Sequence, residues 1–111
     1  MPRLILDTGT TVAELCQGAA QDGIVLTLGT AADNDVVFGG EFASRQHAFI
    51  EVHRKDFYLV DTSTNGTFVQ TEDERVEYVH RDRVRLWGSG WISLGDPLHK
   101  QRPLIFREQL V

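Results

Sequence analysis

Ser44-Arg45-Gln46-His47 and Ser63-Thr64-Asn65-Gly66-Thr67 are where this 111-residue chain gathers side chains able to do chemistry. The hydroxyls of Ser44 and Thr64, the amide of Asn65 and the guanidinium of Arg45 together suit an oxyanion such as phosphate. An amide carries both a donor and an acceptor, so Asn65 could pin the backbone of an extended peptide without reading its side chains. Simpler readings stand beside these. Ser44 can be a turn serine bonding its own backbone, Arg45 a solvated surface arginine, and Asn65-Gly66 a tight turn. Ser44 and His47, three residues apart, also raise a small hydrolase as an alternative. A Ser–His relay needs an orienting carboxylate and an oxyanion hole, and no nucleophile-elbow pattern surrounds this serine, so the hydrolase is rejected.

The elements between these segments must position them. Ala48, Ile50 and Val52 alternate with Phe49, Glu51 and His53, the period of a half-buried strand. Arg54-Lys55-Asp56 is a short polar turn, and Phe57-Tyr58-Leu59-Val60 reads as the antiparallel return strand. The two polar segments therefore leave one small sheet. If they leave at the same end, Ser44, Arg45, Thr64 and Asn65 share one polar rim.

Further short strands are expected over Arg3–Asp7, Thr11–Leu15, Ile24–Leu28, Val36–Phe38, Arg75–Val79, Arg83–Trp87, Trp91–Leu94 and Leu104–Arg107. Loops or turns are expected at Gln17–Gly23, Gly29–Asp35, His80-Arg81-Asp82, Gly88-Ser89-Gly90 and Gly95-Asp96-Pro97, with Thr71-Glu72-Asp73-Glu74 a solvated hairpin tip. Trp87 and Trp91 are expected to close on a hairpin and pack on each other or on the sheet. Many short strands with regular turns, and no sustained helical period, argue an all-β sandwich or barrel.

Gly29, Asp33-Asn34-Asp35-Val36, Ser44-Arg45-Gln46-His47-Ala48, Tyr58-Leu59-Val60-Asp61 and Ser63-Thr64-Asn65-Gly66-Thr67-Phe68-Val69 resemble the motifs of the forkhead-associated (FHA) domain, in the family's order and over roughly Ile24 to Gly95. The resemblance implies an all-β, two-sheet sandwich of mostly antiparallel strands, about 11 of them. It also implies recognition of phosphothreonine peptides through loops at one end. Under it Ser44 hydrogen-bonds the phosphate, Arg45 and Thr64 help to hold it, and Asn65 bonds the peptide backbone. His47 is a structural brace for the serine loop, and Gly29 and Gly66 are backbone positions. The family usually carries arginine after the glycine. This chain has Thr30, which offers a hydroxyl to the site but no charge. A rival reading therefore keeps the fold and uses a sheet face or the loop end for phosphate-independent contact. Such contact would be self-association or regulation of an attached catalytic domain.

Bulk properties bound the rest. The length suits one domain, residues 1–111, with a working core and no need of staples. Hydrophobic residues make up 41% and charged residues 24%, which argues against wholesale disorder. A net charge of −5 argues against nucleic acid as a main partner, though it leaves room for a local phosphate site. The single cysteine, Cys16, reads as a small buried hydrophobe and fits a reducing compartment. No signal-peptide or membrane-spanning pattern is found, so a cytoplasmic protein with no membrane partner is expected. FHA domains commonly ride on larger signalling proteins, so the resemblance implies a piece of a longer chain. No cofactor is expected, because Walker, dinucleotide and kinase motifs are missing. Asp33-Asn34-Asp35 lacks the glycine and glutamate of a calcium loop. His47 and His53 lack a third ligand for zinc, so no metal is expected.

Overall fold

A computed structural model describes residues 2–16, 23–96 and 103–110. Eleven strands run through them: β1 (Pro2–Asp7), β2 (Val12–Cys16), β3 (Gly23–Gly29), β4 (Val36–Val37), β5 (Ala48–His53), β6 (Asp56–Asp61), β7 (Thr67–Gln70), β8 (Val76–Val79), β9 (Arg83–Leu86), β10 (Ser89–Leu94) and β11 (Leu104–Leu110). They form two sheets, one of five strands in the order β4-β3-β5-β6-β9 and one of six in the order β2-β1-β11-β10-β7-β8. Among the described residues every strand pairing is antiparallel except that of β3 with β4. No described helix is long and apolar enough to cross a membrane.

The alternation in β5 and β6 decides which side chains point inward. Ala48, Ile50 and Val52 on β5, with Phe57, Leu59 and Asp61 on β6, are all buried. Leu4 and Leu6 of β1, Ile92 and Leu94 of β10, and Leu104 and Phe106 of β11 meet them from the six-stranded sheet in one apolar core. All of these side chains but Ala48 and Asp61 are fully buried. Asp61 is the exception in chemistry: the inward position that ends β6 carries a carboxylate.

Three sequence expectations change. Gly88-Ser89-Gly90 is no hairpin tip. Ser89 and Gly90 belong to β10, where they pair with Arg107 and Phe106 of β11. Since β9 and β10 lie in different sheets, the chain at Trp87-Gly88 crosses from one to the other. Trp87 and Trp91 consequently do not close a hairpin, and no ring contact joins them. The acidic tip between β7 and β8 is also more than solvated. Glu72 accepts hydrogen bonds from the Ser89 backbone N–H and hydroxyl, which ties the hairpin to this crossing. Finally, β11 runs to Leu110 because β1 offers it partners as far as Pro2. The side chain of Cys16, residues 17–22 of the loop expected over Gln17–Gly23, and Pro97 lie outside the described residues, and Gly23 itself opens β3.

Strand direction gathers the loops. β3 and β6 both end where β5 begins, at the pairs Leu28↔Ala48 and Ala48↔Asp61. β9 begins beside the end of β6, and β8 and β10 end where β7 begins. Loops 30–35, 38–47, 62–66 and 80–82 therefore share one end of the sandwich.

Candidate binding site

Three of those loops are stitched together by hydrogen bonds. The Thr30 backbone N–H donates to the Ser44 carbonyl (3.2 Å), and that of Ala31 donates to the Arg45 carbonyl (3.2 Å). Buried Asn34 adds side-chain bonds to the Ala31 and Arg45 carbonyls (2.9 and 2.7 Å). Gln46 donates to Asp33 across the same seam (2.9 Å). Gly29 is required at this seam because a Cβ there would stand 2.1 Å from the Arg45 carbonyl oxygen. Its importance is close approach; a left-handed backbone is found instead at Gly66, with φ +86°.

Ser44 then meets the loop after β6. Its hydroxyl oxygen accepts from the Thr64 backbone N–H (3.2 Å). Asn65 donates from its side-chain amide to the Phe42 carbonyl (2.9 Å), and its own carbonyl accepts from the Tyr78 hydroxyl (2.9 Å). Ser44, Arg45, Thr64, Asn65 and Thr30 are thus brought onto one rim. Arg45, Thr64 and Asn65 are exposed, while Ser44 and Thr30 are half-buried. The Thr30 hydroxyl is turned to the Ser44 carbonyl (3.4 Å). One Asn65 amide hydrogen and its Oδ1 remain for a ligand, as do the Thr64 hydroxyl and the Arg45 guanidinium.

Beneath the rim lies a buried polar network. His47 Nδ1 accepts from the Ser44 backbone N–H (2.9 Å). That fixes the proton on Nε2, which donates to the Gly66 carbonyl (2.8 Å) and lies 3.1 Å from Thr67 Oγ1. Asp61 Oδ1 is 3.6 Å from the same nitrogen. The carboxylate itself accepts from Thr67 Oγ1 (2.6 Å), Ser63 Oγ (2.7 Å), Ser63 N (3.1 Å) and Arg81 N (2.9 Å). Ser63 Oγ in turn accepts from Gly66 N (2.7 Å). One carboxylate therefore holds both the loop that presents Thr64 and Asn65 and the turn that presents Arg81.

The electrostatics follow. Burial pushes the His47 imidazole below its ordinary value, outweighing the Gly66 hydrogen bond and the Asp61 charge that favour the cation. Burial alone would raise Asp61, but the hydrogen bonds from Arg81, Thr67 and Ser63 hold its carboxyl below the usual carboxylate range. A relay to Ser44 is ruled out by geometry: the His47 Nδ1 lone pair is taken by the Ser44 backbone N–H, Nε2 is turned to the Gly66 carbonyl, and the ring is fully buried. The described residues contain no group of three or more His, Cys, Asp or Glu able to hold a metal ion.

Sequence reasoning missed Asp61 and Arg81. The signal for Asp61 was parity: it continues the inward row of Phe57 and Leu59, where a carboxylate must find donors. The signal for Arg81 was weaker, because only the pairing of β6 with β9 brings its turn to this end.

The model of the FHA domain family matches residues 26–89 of the chain. The fold is similar to that of the FHA-1 domain of Mycobacterium tuberculosis Rv1747, with a TM-score of 0.71 and 19% identity, over 98% of this chain and 98% of that one. It is also similar to the N-terminal FHA domain of S. cerevisiae Rad53p, solved in complex with a phosphothreonine peptide (TM-score 0.67, 21% identity, 99% of this chain and 93% of that one). Mycobacterium tuberculosis EmbR, solved in complex with a low-affinity phosphopeptide, gives a TM-score of 0.60 at 25% identity over 96% of this chain and 24% of its own. No curated protein matches the sequence.

Proposed function

The chain belongs to the FHA domain family, and on that premise we propose that it recognises phosphothreonine-containing peptides and does no chemistry on them. The observation that carries this is the bond between Ser44 Oγ and Thr64 N. It closes two loops into one rim, with a free guanidinium at Arg45 on one side and a free hydroxyl at Thr64 on the other. A phosphate entering there meets Ser44, Arg45 and Thr64, and an extended backbone meets the remaining amide hydrogen and oxygen of Asn65. The bond from Asn65 to the Phe42 carbonyl holds that amide ready, so little side-chain freedom is lost on binding. Residues 1–111 then serve as one recognition domain in signalling. A cytoplasmic setting is part of this proposal and is supported by the lone cysteine.

Thr30 sets the expected strength. A charge-assisted hydrogen bond contributes roughly 1.5–3 kcal/mol, so its absence weakens binding about ten- to a hundred-fold. The same residue favours a second reading, a domain that has kept the fold and lost the phosphate. Titration with a degenerate phosphothreonine peptide library and its unphosphorylated twin separates the two. Phosphorylated peptides are expected to bind, with Ser44→Ala and Asn65→Ala abolishing binding and Thr30→Arg tightening it. Indistinguishable binding of the two libraries, with phosphate dependence appearing only in Thr30→Arg, would establish the second reading.

A further inference from the structure

We infer that the outer face of the six-stranded sheet is a self-association surface. A second copy of this chain packs on it face to face, about a two-fold axis that runs along the strands between β10 and β11. The inference goes beyond the phosphopeptide reading and does not depend on it, because the face lies to the side of the loop rim.

The two outer faces of the sandwich differ in kind. That of the five-stranded sheet is tiled with ion pairs, Arg83 with Glu51 (3.2 Å) and Arg85 with Asp56 (3.1 Å), and Arg83 also lies over the Tyr58 ring (4.7 Å to its centre). That is the ordinary pattern of an antiparallel sheet facing water. The six-stranded sheet departs from it. Of the six large hydrophobic side chains exposed among the described residues, Val12, Val76, Tyr78 and Ile105 stand on its outer face, at 64%, 50%, 55% and 48% exposure. Ile5, Phe68 and Trp91 lie half-buried on the same face. A contiguous apolar surface of this kind marks an interaction site.

The cross-strand register shows what fits it. One row of directly opposed residues crosses all six strands: Val12, Asp7, Ile105, Trp91, Gln70 and Val76. Read from either end, the row is apolar, polar, apolar, apolar, polar, apolar. The two-fold axis exchanges β2 with β8, β1 with β7 and β11 with β10. It sets Val12 against Val76 of the other copy, Asp7 against Gln70, and Ile105 against Trp91. Apolar side chains meet apolar ones, and a carboxylate meets an amide able to donate to it. Two residues further along the strands, the same axis carries Arg107 over Ser89 of the other copy and the Glu72 carboxylate bonded to that serine. Among the described residues of one copy, Arg107 has no carboxylate partner and Glu72 no cationic one. The packing pairs them twice. A cavity of about 250 Å³ beside Ile5, Ile105 and Arg107 gives the opposing Trp91 a recess. The Arg3–Glu14 ion pair stands at the margin of the face and is satisfied within its own copy.

Size sets the strength. Six strands about 4.8 Å apart, and the seven residues of β11 at about 3.4 Å each, give a footprint of roughly 24 by 20 Å, about 500 Å² per copy. The total of about 1,000 Å² is at the lower limit of a specific interface, so the dimer is weak, with a dissociation constant in the micromolar range.

Sedimentation equilibrium of the chain from about 1 μM to about 0.5 mM tests this. The mean mass is expected to climb with concentration from one chain toward two. Ile105→Asp should weaken association about ten-fold or more, because each dimer would bury two carboxylates without partners. Arg107→Glu and Glu72→Arg should each weaken it alone, since like charges then face each other twice. Mixed in equal amounts, these two variants should associate again, because the mixed dimer has both ion pairs with their signs exchanged. A chain that stays monomeric throughout, or association that Ile105→Asp leaves intact, overturns the inference and gives the face to another protein or to none. Two folded charge variants that do not associate when mixed overturn the two-fold packing. If Glu72→Arg melts early for want of its bonds to Ser89, Val12→Asp at the end of the row decides in its place: it should weaken association, and association unchanged by it overturns the packing.

Discussion

At the scale of single residues, the rim is exposed but its positions are set by two buried groups. His47 must be neutral for Nδ1 to accept from Ser44, and Asp61 must be ionised to accept its four hydrogen bonds. Both groups have folded-state values below their ordinary ones, so the folded protein binds fewer protons than the unfolded chain in each window. The sign is the same for both: stability falls as pH falls. The His47 contribution is intact above about 6.5 and is lost progressively below it, toward the lower folded value. The Asp61 contribution starts to fall below about 4. Protonating Nδ1 would set an N–H against the Ser44 N–H, so acid attacks the Ser44 loop before the core. Thermal melts between about pH 7 and pH 5 should show a falling midpoint, and His47→Gln, with no titrating ring, should be flatter over that range. A midpoint constant or rising toward pH 5 would remove His47 from this role. Stability is the better readout here, since a phosphate ligand titrates in the same window.

At the scale of elements, the β5–β6 hairpin shows what propensity left unresolved. Arg54 and Lys55 form its two-residue loop with φ of 50° and 72°, although neither is the glycine or asparagine such a turn prefers. The register His53↔Asp56 leaves the chain no alternative. Lys55→Gly should therefore stabilise the protein by about 0.5–1 kcal/mol, the relief of a left-handed side chain less the added freedom of glycine when unfolded. Chemical denaturation reads this directly, and a destabilised variant would show that the lysine side chain has a role of its own. The hairpin itself was legible in the sequence because strict alternation on both sides of a polar turn has one physical solution. So was the rim, through Ser44-Arg45 and Thr64-Asn65 at the exits of that hairpin. The crossings were not. Asn65-Gly66 and Gly88 carry the same turn chemistry whether the next strand pairs with the last or joins the opposite sheet, and only long-range pairing decides between them. Arg81 was illegible for the same reason, while Asp61 could have been found from the parity of β6.

At the scale of the whole molecule, the loop end that carries the rim depends on both sheets at once. The loop after β6 leaves the five-stranded sheet and enters the six-stranded one at β7, and Gly95 N donates to the Gly66 carbonyl (2.8 Å) from the end of β10. The apolar core is likewise shared: Phe57 enters it from one sheet and Phe106 from the other, both fully buried. Neither sheet has a core of its own, so the sandwich should unfold as one unit and release its ligand in the same step. Phe57→Ala and Phe106→Ala should each lower stability by about 3–5 kcal/mol through the cavity left behind. Each variant should still melt in a single transition. Below that transition, phosphopeptide affinity should stay close to wild type, because the rim is held by Asp61 and His47 and not by the phenylalanines. Two separated transitions in either variant, or affinity lost while the fold persists, would show that the sheets are independent and that the core reaches the rim by a route other than these hydrogen bonds.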